Sequence, residues 1–118
     1  MAIERVAVIG AGTMGAGIAQ VCAQAGWTTA LYDAFPEGLE RGMQRIDAFW
    51  DKGIARGKTT AEQKEAWAKN LRAESDMKTA VHDVDLVIEA VPEIPELKAK
   101  VFAQLDDCLL YTSPSPRD

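Results

Sequence analysis

Residues 5–33 read RVAVIGAGTMGAGIAQVCAQAGWTTALYD, and this order of residue types is the clearest structural signal in the chain. The first run, Arg5–Ile9, is rich in β-branched residues, which is typical of a strand buried on both faces of a parallel sheet. Residues 10–15 match the pattern G-x-G-x-x-G, residues 16–25 suit a helix, and residues 27–32 suit a second strand. The predicted order is therefore strand, glycine turn, helix, strand and then an acid.

The glycine turn predicts a site for a dinucleotide. In such a turn the first glycine permits the tight bend, the second lets the backbone approach a pyrophosphate, and the third lets helix and strand pack closely. A helix starting near the fourth residue of the turn would direct unpaired N–H groups and a partial positive charge at the phosphates. The predicted cofactor contacts are Gly10, Ala11, Gly12, Thr13, Met14 and Gly15. Gly17 is expected to extend the close packing, and the alternative is a buried turn that holds no ligand.

Asp33 follows the second predicted strand, 23 positions after Gly10. A carboxylate there can accept hydrogen bonds from both hydroxyls of the adenosine ribose, and it would repel a 2′-phosphate. An NADP site is expected to offer Arg or Lys directly after this strand, and residues 34–36 are Ala-Phe-Pro. The sequence therefore predicts NAD rather than NADP, with an ordinary turn residue at the strand end as the alternative for Asp33.

The composition excludes several classes of protein. The 118-residue chain has 18 Asp and Glu residues against 13 Lys and Arg residues, a formal net charge of −5. A nucleic-acid binder usually carries a clustered excess of Lys and Arg, so no nucleic-acid partner is expected. Two cysteines and one histidine provide neither a disulfide framework nor a zinc site. These counts predict one metal-free, cytoplasmic globular domain.

Residues 6–32 carry no charged side chain and are numerous enough to cross a bilayer. Five glycines and several Gln and Thr residues interrupt them, so no part of the segment is continuously apolar. The segment therefore predicts neither a transmembrane helix nor a signal peptide, and no membrane partner is expected.

The remainder of the chain continues the alternation of helices and strands. Residues 35–37 are expected to open a second helix, and residues 59–62, Thr-Thr-Ala-Glu, fit a capping box for a third helix to about residue 70. Residues 71–73 fit a short edge strand, residues 76–81 a helical turn, and residues 86–88 a fourth strand. The fold class is thus α/β, a Rossmann-type doubly wound parallel sheet, incomplete, with about four strands, flanking helices and a helical insertion.

The loop after the fourth strand is expected to lie at the carboxyl edge of the sheet, where doubly wound folds bind their ligands. Glu93 and Lys98 are there placed to reach the cofactor, next to a helix predicted over residues 95–107. His82 is a lone histidine beside Asp83, and this setting favours a surface residue rather than a catalyst.

Two motifs carry a resemblance to a known family. Residues 8–20, VIGAGTMGAGIAQ, and residues 85–93, DLVIEAVPE, followed by Leu97-Lys98, resemble the N-terminal NAD-binding domain of the L-3-hydroxyacyl-CoA dehydrogenases. The bacterial 3-hydroxybutyryl-CoA dehydrogenases are the most similar members. The resemblance covers residues 1–107, and its second motif is more discriminating than the glycine fingerprint.

The resemblance implies an NAD-linked oxidation of the 3-hydroxyl of an acyl-CoA to a ketone, as in the β-oxidation of fatty acids. It also implies that Glu93 and Lys98 lie along the nicotinamide side, with Glu89 a weaker candidate. Arg56 and Lys58 would be contacts for CoA phosphates, with a solvated basic turn as an equal alternative.

Family members place their catalytic His, Glu, Ser and Asn residues downstream of residue 107, and their helical C-terminal domain usually forms a homodimer. This chain is therefore expected to be a fragment that contains no catalytic residue and binds cofactor without turning over substrate.

Residues 108–118 read CLLYTSPSPRD and depart from the family pattern. They resemble a translated sequencing-library adapter, so the expected organisation is an NAD-binding domain at residues 1–107 and a non-native tail at residues 108–118. A natural Ser/Pro-rich disordered terminus is the alternative for the tail. Two alternative functions also remain open: a dehydrogenase of non-CoA 3-hydroxy acids, of the gulonate or carnitine type, and a free-standing NAD-binding module.

Overall fold

Four parallel strands form one sheet in the order β3-β2-β1-β4. The structure is a computed structural model, which describes residues 4–90, 99–100 and 103–104. The elements in chain order are β1 Arg5–Ile9, α1 Thr13–Gln24, β2 Thr28–Tyr32, α2 Pro36–Ala55, α3 Ala61–Lys69, β3 Leu71–Glu74, α4 Met77–Val81 and β4 Leu86–Glu89. This arrangement confirms the Rossmann-like α/β fold predicted from the sequence.

Strand β1 is central because its neighbours lie on both sides. Val6 pairs with Thr29 of β2 and with Leu86 of β4, and Ile9 pairs with Tyr32 and Glu89. Residues 6–9 of β1 are completely buried, as the β-branched run predicts. All four strands therefore end at one edge of the sheet, where the glycine turn and the loop after β2 also lie.

Helices cover both faces of the sheet. Helices α1 and α2 pack on one face around Ile46 and Trp50, and α4 packs on the other face through Met77 and Val81. Helix α3 is the predicted insertion, and Trp67 of α3 lies with its ring 5.7 Å from that of Trp50. The apolar residues of α2, Ile46 and Trp50 among them, thus lie in the core, and the opposite side of the helix faces solvent.

The N-terminus of α3 corrects the predicted capping box by one residue. The N-cap is Thr60, whose Oγ1 accepts a hydrogen bond from the N–H of Gln63 at 3.1 Å. In return the Oε1 of Gln63 accepts from the N–H of Thr60 at 3.0 Å. Both Thr59-Thr60-Ala61-Glu62 and the four residues from Thr60 satisfy the pattern, and the register of the helix selects the second.

The edge strand β3, the short helix α4 and the fourth strand are all present as predicted. The predicted helix over residues 95–107 lies largely outside the described residues, although residues 99–100 and 103–104 are helical. The assigned tail, residues 108–118, is also outside them, so the domain boundary at residue 107 stays a prediction.

Candidate functional site

The glycine turn joins β1 to α1 at the carboxyl edge of the sheet. Gly10 has a φ of 110°, a conformation that side chains rarely adopt, and its N–H donates to the carbonyl of Tyr32 at 2.8 Å. A Cβ at Gly15 would lie 1.6 Å from the carbonyl oxygen of Gly10. The first and third glycines are therefore required by the fold itself: one makes the bend, and the other lets α1 touch it.

Gly12 differs from both, because nothing in the described part of the protein requires a glycine there. Its φ is −70°, which any residue adopts, and a Cβ would meet no atom within 4 Å. Gly12 is also the N-cap of α1, and no side chain of residues 4–90 caps this helix end. The described residues therefore leave space around the Cβ position of Gly12, at the helix end that attracts anions.

Gly17, in contrast, does not have the predicted role. A Cβ there would meet nothing within 4 Å, and the residue is exposed on α1. Of Gly15 and Gly17, only Gly15 packs closely against the turn, because Gly17 faces away from the sheet. The expectation that Gly17 extends the packing was wrong.

Asp33 is fixed against the glycine turn by two backbone hydrogen bonds. Its Oδ2 accepts from the N–H of Ala11 at 2.9 Å, and its Oδ1 accepts from the N–H of Phe35 at 2.8 Å. A carboxylate has about four acceptor positions, so two remain for other donors. The hydrogen bond from the N–H of Ala11 to Asp33 links the glycine turn to the acid after β2.

A cleft of about 420 Å³ opens beside this carboxylate. Ala11, Gly12 and Asp33, which the sequence predicts as cofactor contacts, line it, and Arg41 and Arg45 of α2 line it as well. Both arginines lie outside the segment directly after β2, where the sequence pattern predicts the cations of an NADP site, and so they were not predicted. Their spacing of four residues on one helix face was the available signal.

The neighbouring strand β4 places Glu89 at the same edge of the sheet. Glu89 pairs with Ile9, and the N–H of Ala90 donates to the carbonyl of Ile9 at 2.8 Å. A Cβ at Gly15 would lie 3.5 Å from the Cβ of Ala90, so the start of the loop after β4 approaches α1. The predicted nicotinamide contacts Glu93 and Lys98 lie outside the described residues.

The other candidates lie away from the glycine turn. His82 is exposed at the end of α4, before β4 begins, and so belongs to the opposite edge of the sheet. Arg56 and Lys58 are exposed at the far end of α2, roughly 30 Å along the helix axis from its start by the usual rise of 1.5 Å per residue. The structure therefore does not bring these three residues to the carboxyl edge.

Within residues 4–90 and the two short helical pieces, no group of His, Cys, Asp and Glu is arranged to hold a metal ion. None of the helices in that same part is long and apolar enough to span a membrane. Cys22 is buried in α1, and burial raises the pKa of its thiol, which disfavours the reactive thiolate.

Comparisons with known proteins agree with this geometry. The sequence model for "3-hydroxyacyl-CoA dehydrogenase, NAD binding domain" matches residues 5–113. The chain is 47% identical over 103 residues to 3-hydroxyadipyl-CoA dehydrogenase of Escherichia coli (strain K12), covering 87% of this chain and 22% of that protein. It is 36% identical over 105 residues to 3-hydroxybutyryl-CoA dehydrogenase of Mycobacterium tuberculosis (strain ATCC 25618 / H37Rv), covering 89% of this chain and 36% of the relative.

A solved structure gives the same result. The (S)-3-hydroxybutyryl-CoA dehydrogenase PaaH1 from Ralstonia eutropha superimposes with a TM-score of 0.84 at 31% sequence identity, over 91% of this chain and 38% of that one. The chain thus spans between about a fifth and two fifths of the length of these relatives.

Proposed function

Because the chain belongs to the 3-hydroxyacyl-CoA dehydrogenase family, as its NAD-binding domain, we propose that the glycine turn and Asp33 hold the NAD. We propose further that the whole protein oxidises the 3-hydroxyl of a 3-hydroxyacyl-CoA to the ketone. The two curated relatives act on acyl groups with different names, hydroxyadipyl and hydroxybutyryl. The proposal is therefore made for the 3-hydroxyacyl-CoA class and not for one acyl chain.

The observation that carries this proposal is the open space at Gly12. At Gly12, as at Gly17, a Cβ would meet no described atom, but only Gly12 stands at the uncapped N-terminus of α1. A ligand whose phosphates pass close to the backbone at that point would account for the glycine there. The uncapped N-terminus of α1 then supplies N–H donors and a partial positive charge to an acidic protein that has no basic side chain in this turn.

The roles in the turn divide between binding and support. The N–H groups of Thr13, Met14 and Gly15 form the first turn of α1 and would face the pyrophosphate. Ala11 would act indirectly, because its N–H holds Asp33 in place. The two remaining acceptor positions of Asp33 would receive the ribose hydroxyls.

When bound, NAD supplies the hydride acceptor for the oxidation of the substrate hydroxyl. The described residues would bind and orient it, with Glu89 and the predicted contacts Glu93 and Lys98 near its nicotinamide end. The lone histidine, His82, lies at the opposite edge of the sheet and cannot take the proton of a substrate there. We therefore propose that this chain by itself binds NAD and does not turn over substrate; a cytoplasmic location, a homodimeric whole protein, and CoA contacts at Arg56 and Lys58 remain predictions of the same kind.

The test replaces Gly12 with alanine and measures NADH affinity by fluorescence titration. The added Cβ fits the backbone but occupies the space proposed for the pyrophosphate, so affinity should fall by about tenfold or more, on the order of 1.4 kcal/mol. The circular dichroism spectrum should stay near that of the unsubstituted chain, and the free energy of unfolding should fall by no more than about 1 kcal/mol, because glycine is a better N-cap than alanine.

Gly17→Ala is the matched control, because its Cβ also meets nothing within 4 Å but lies further along α1. It should leave NADH affinity unchanged. Equal affinity of the two variants would contradict the proposed position of the pyrophosphate, and absence of NADH binding by the unsubstituted chain would contradict the proposed function.

A further inference from the structure

Helix α2 approaches the glycine turn closely enough to form one wall of the cleft at Asp33. A Cβ at Gly42 would lie 2.6 Å from the carbonyl oxygen of Ala11, and a Cβ at Gly38 would lie 3.3 Å from Oδ1 of Asp33. These two glycines therefore allow the first turns of α2 to press against the turn and the acid. The side chains that flank them are brought to the cleft by this close approach.

Arg41 and Arg45 are the two cations in that wall. They are four residues apart, so they lie on one side of α2, and both are exposed. Across the described ranges neither guanidinium has an ion pair, whereas Lys64 of α3 is held by Asp47 at 2.8 Å and by Asp51 at 2.7 Å. The two arginines are thus available to an anion that enters the cleft.

The cleft also holds two carboxylates, and they differ in mobility. Asp33 is fixed by its hydrogen bonds to the N–H groups of Ala11 and Phe35. Glu37 lies in the first turn of α2 and is exposed, so it can rotate away from an incoming anion. The two positive charges of the arginines therefore equal the two negative charges of the carboxylates in number. Of the two carboxylates, only that of Asp33 is fixed in position.

We propose that Arg41 and Arg45 form a latent subsite for the 2′-phosphate of NADP, which Asp33 alone keeps closed. This inference rests on the proposed position of the adenosine ribose at Asp33. A 2′-phosphate carries nearly two negative charges, and arginine binds phosphate through two parallel N–H donors. Its exclusion needs a repulsive group, and the fixed carboxylate is that group. The cations that the segment after β2 lacks are supplied by α2.

The consequence is that one substitution should change the cofactor preference without any added arginine. In Asp33→Ser the ratio of NADPH to NADH affinity should rise by about 100-fold, since each charge-assisted contact is worth roughly tenfold or more. Fluorescence titration with NADH and NADPH at one low salt concentration measures both affinities. Asp33→Asn, which keeps the size of the side chain and one acceptor oxygen, is the second variant if Asp33→Ser does not fold.

The arginines are then removed in the Asp33→Ser background. Arg41→Gln with Arg45→Gln should lower NADPH affinity by about 100-fold, roughly tenfold for each arginine, and leave NADH affinity within about threefold. Lys52→Gln is the matched control, because it removes one positive charge from the same helix outside the cleft. It should leave the affinity ratio unchanged.

Two results would overturn the inference: an Asp33 variant that folds and binds NADH but gains no NADPH affinity, or a gain that survives removal of both arginines. Failure of the unsubstituted chain to bind NADH is a different result, and it would overturn the proposed function instead.

Discussion

The N-termini of α1 and α3 present the same physical problem and solve it differently. Each helix begins with N–H groups that have no partner within the helix. At α3 the side chains of Thr60 and Gln63 satisfy two of them through reciprocal hydrogen bonds. At α1 the N-cap is Gly12, which has no side chain, and among the described residues no other side chain replaces it.

The comparison separates a helix end that side chains cap from one that we propose to be the binding site for the pyrophosphate. The closed pattern recurs at α4, where Asp76 accepts from the N–H of Thr79 at 3.1 Å. The open end of α1 stays in place without a cap because Ala16, Ala19 and Ala23 bury the helix against the sheet. Tertiary packing thus stabilises α1, and its terminal N–H groups need no partner from the chain.

The largest expected effect comes from a substitution that disrupts the packing of α1 against the glycine turn. Gly15→Ala adds a Cβ 1.6 Å from the carbonyl oxygen of Gly10, which the backbone cannot accommodate without moving. We expect a loss of about 3 kcal/mol in the free energy of unfolding, together with the loss of NADH binding. Urea unfolding followed by circular dichroism measures the first, and fluorescence titration the second.

Gly17→Ala serves as the comparison for this variant within the same helix. Its Cβ meets no atom within 4 Å, so the usual advantage of alanine inside a helix should raise stability by about 0.5–1 kcal/mol. Similar stabilities for the two variants would show that α1 does not touch the glycine turn as described.

The second expected effect concerns the capped N-terminus of α3. Thr60→Ala removes the acceptor for the N–H of Gln63 and should lower the free energy of unfolding by about 1 kcal/mol. NADH affinity should not change, because α3 lies away from the carboxyl edge. Thr59→Ala is the matched control, since the sequence pattern also permits Thr59 as the cap; a larger loss for Thr59→Ala would reject the observed register.

This one-residue difference shows where prediction from sequence ends. The order from β1 to Asp33 was predictable because each step depends on local properties: β-branched residues, glycines at fixed spacing and helix-compatible residues. The cap of α3 was ambiguous because Thr59 and Thr60 both precede an acceptor at the correct distance. Only the start of the helix, which packing against α2 and β3 determines, decides between them.

The cleft shows the same limit of prediction from sequence, for residues that lie further apart along the chain. Asp33 was predictable from its place after β2, but Arg41 and Arg45 follow 8 and 12 residues later and reach the cleft only through the path of α2. That path depends on the contact of Gly42 with Ala11, which joins two segments far apart in the sequence. No local sequence pattern predicts such a contact.

The smallest expected effect is electrostatic and concerns Asp76, the N-cap of α4. Hydrogen bonds from the side chain and then the backbone of Thr79 hold the pKa of Asp76 below its ordinary value of 3.8, and Lys78 adds a smaller effect in the same direction. A carboxyl whose pKa is lowered by folding contributes stability above its unfolded pKa, and this contribution is lost as the pH falls through the folded pKa.

Asp76→Asn isolates this charge, because asparagine caps helices about as well as aspartate. The unsubstituted chain should be slightly more stable than the variant near neutral pH, and the difference should shrink as the pH falls below 3.8. Urea midpoints of both proteins at about pH 7 and about pH 3 measure it, and the other carboxyl groups, being common to both, cancel in the difference. A difference that stays constant or grows on acidification would show that the Asp76 charge does not stabilise this end of the helix, and the contrast with α1 would then rest on Thr60 alone.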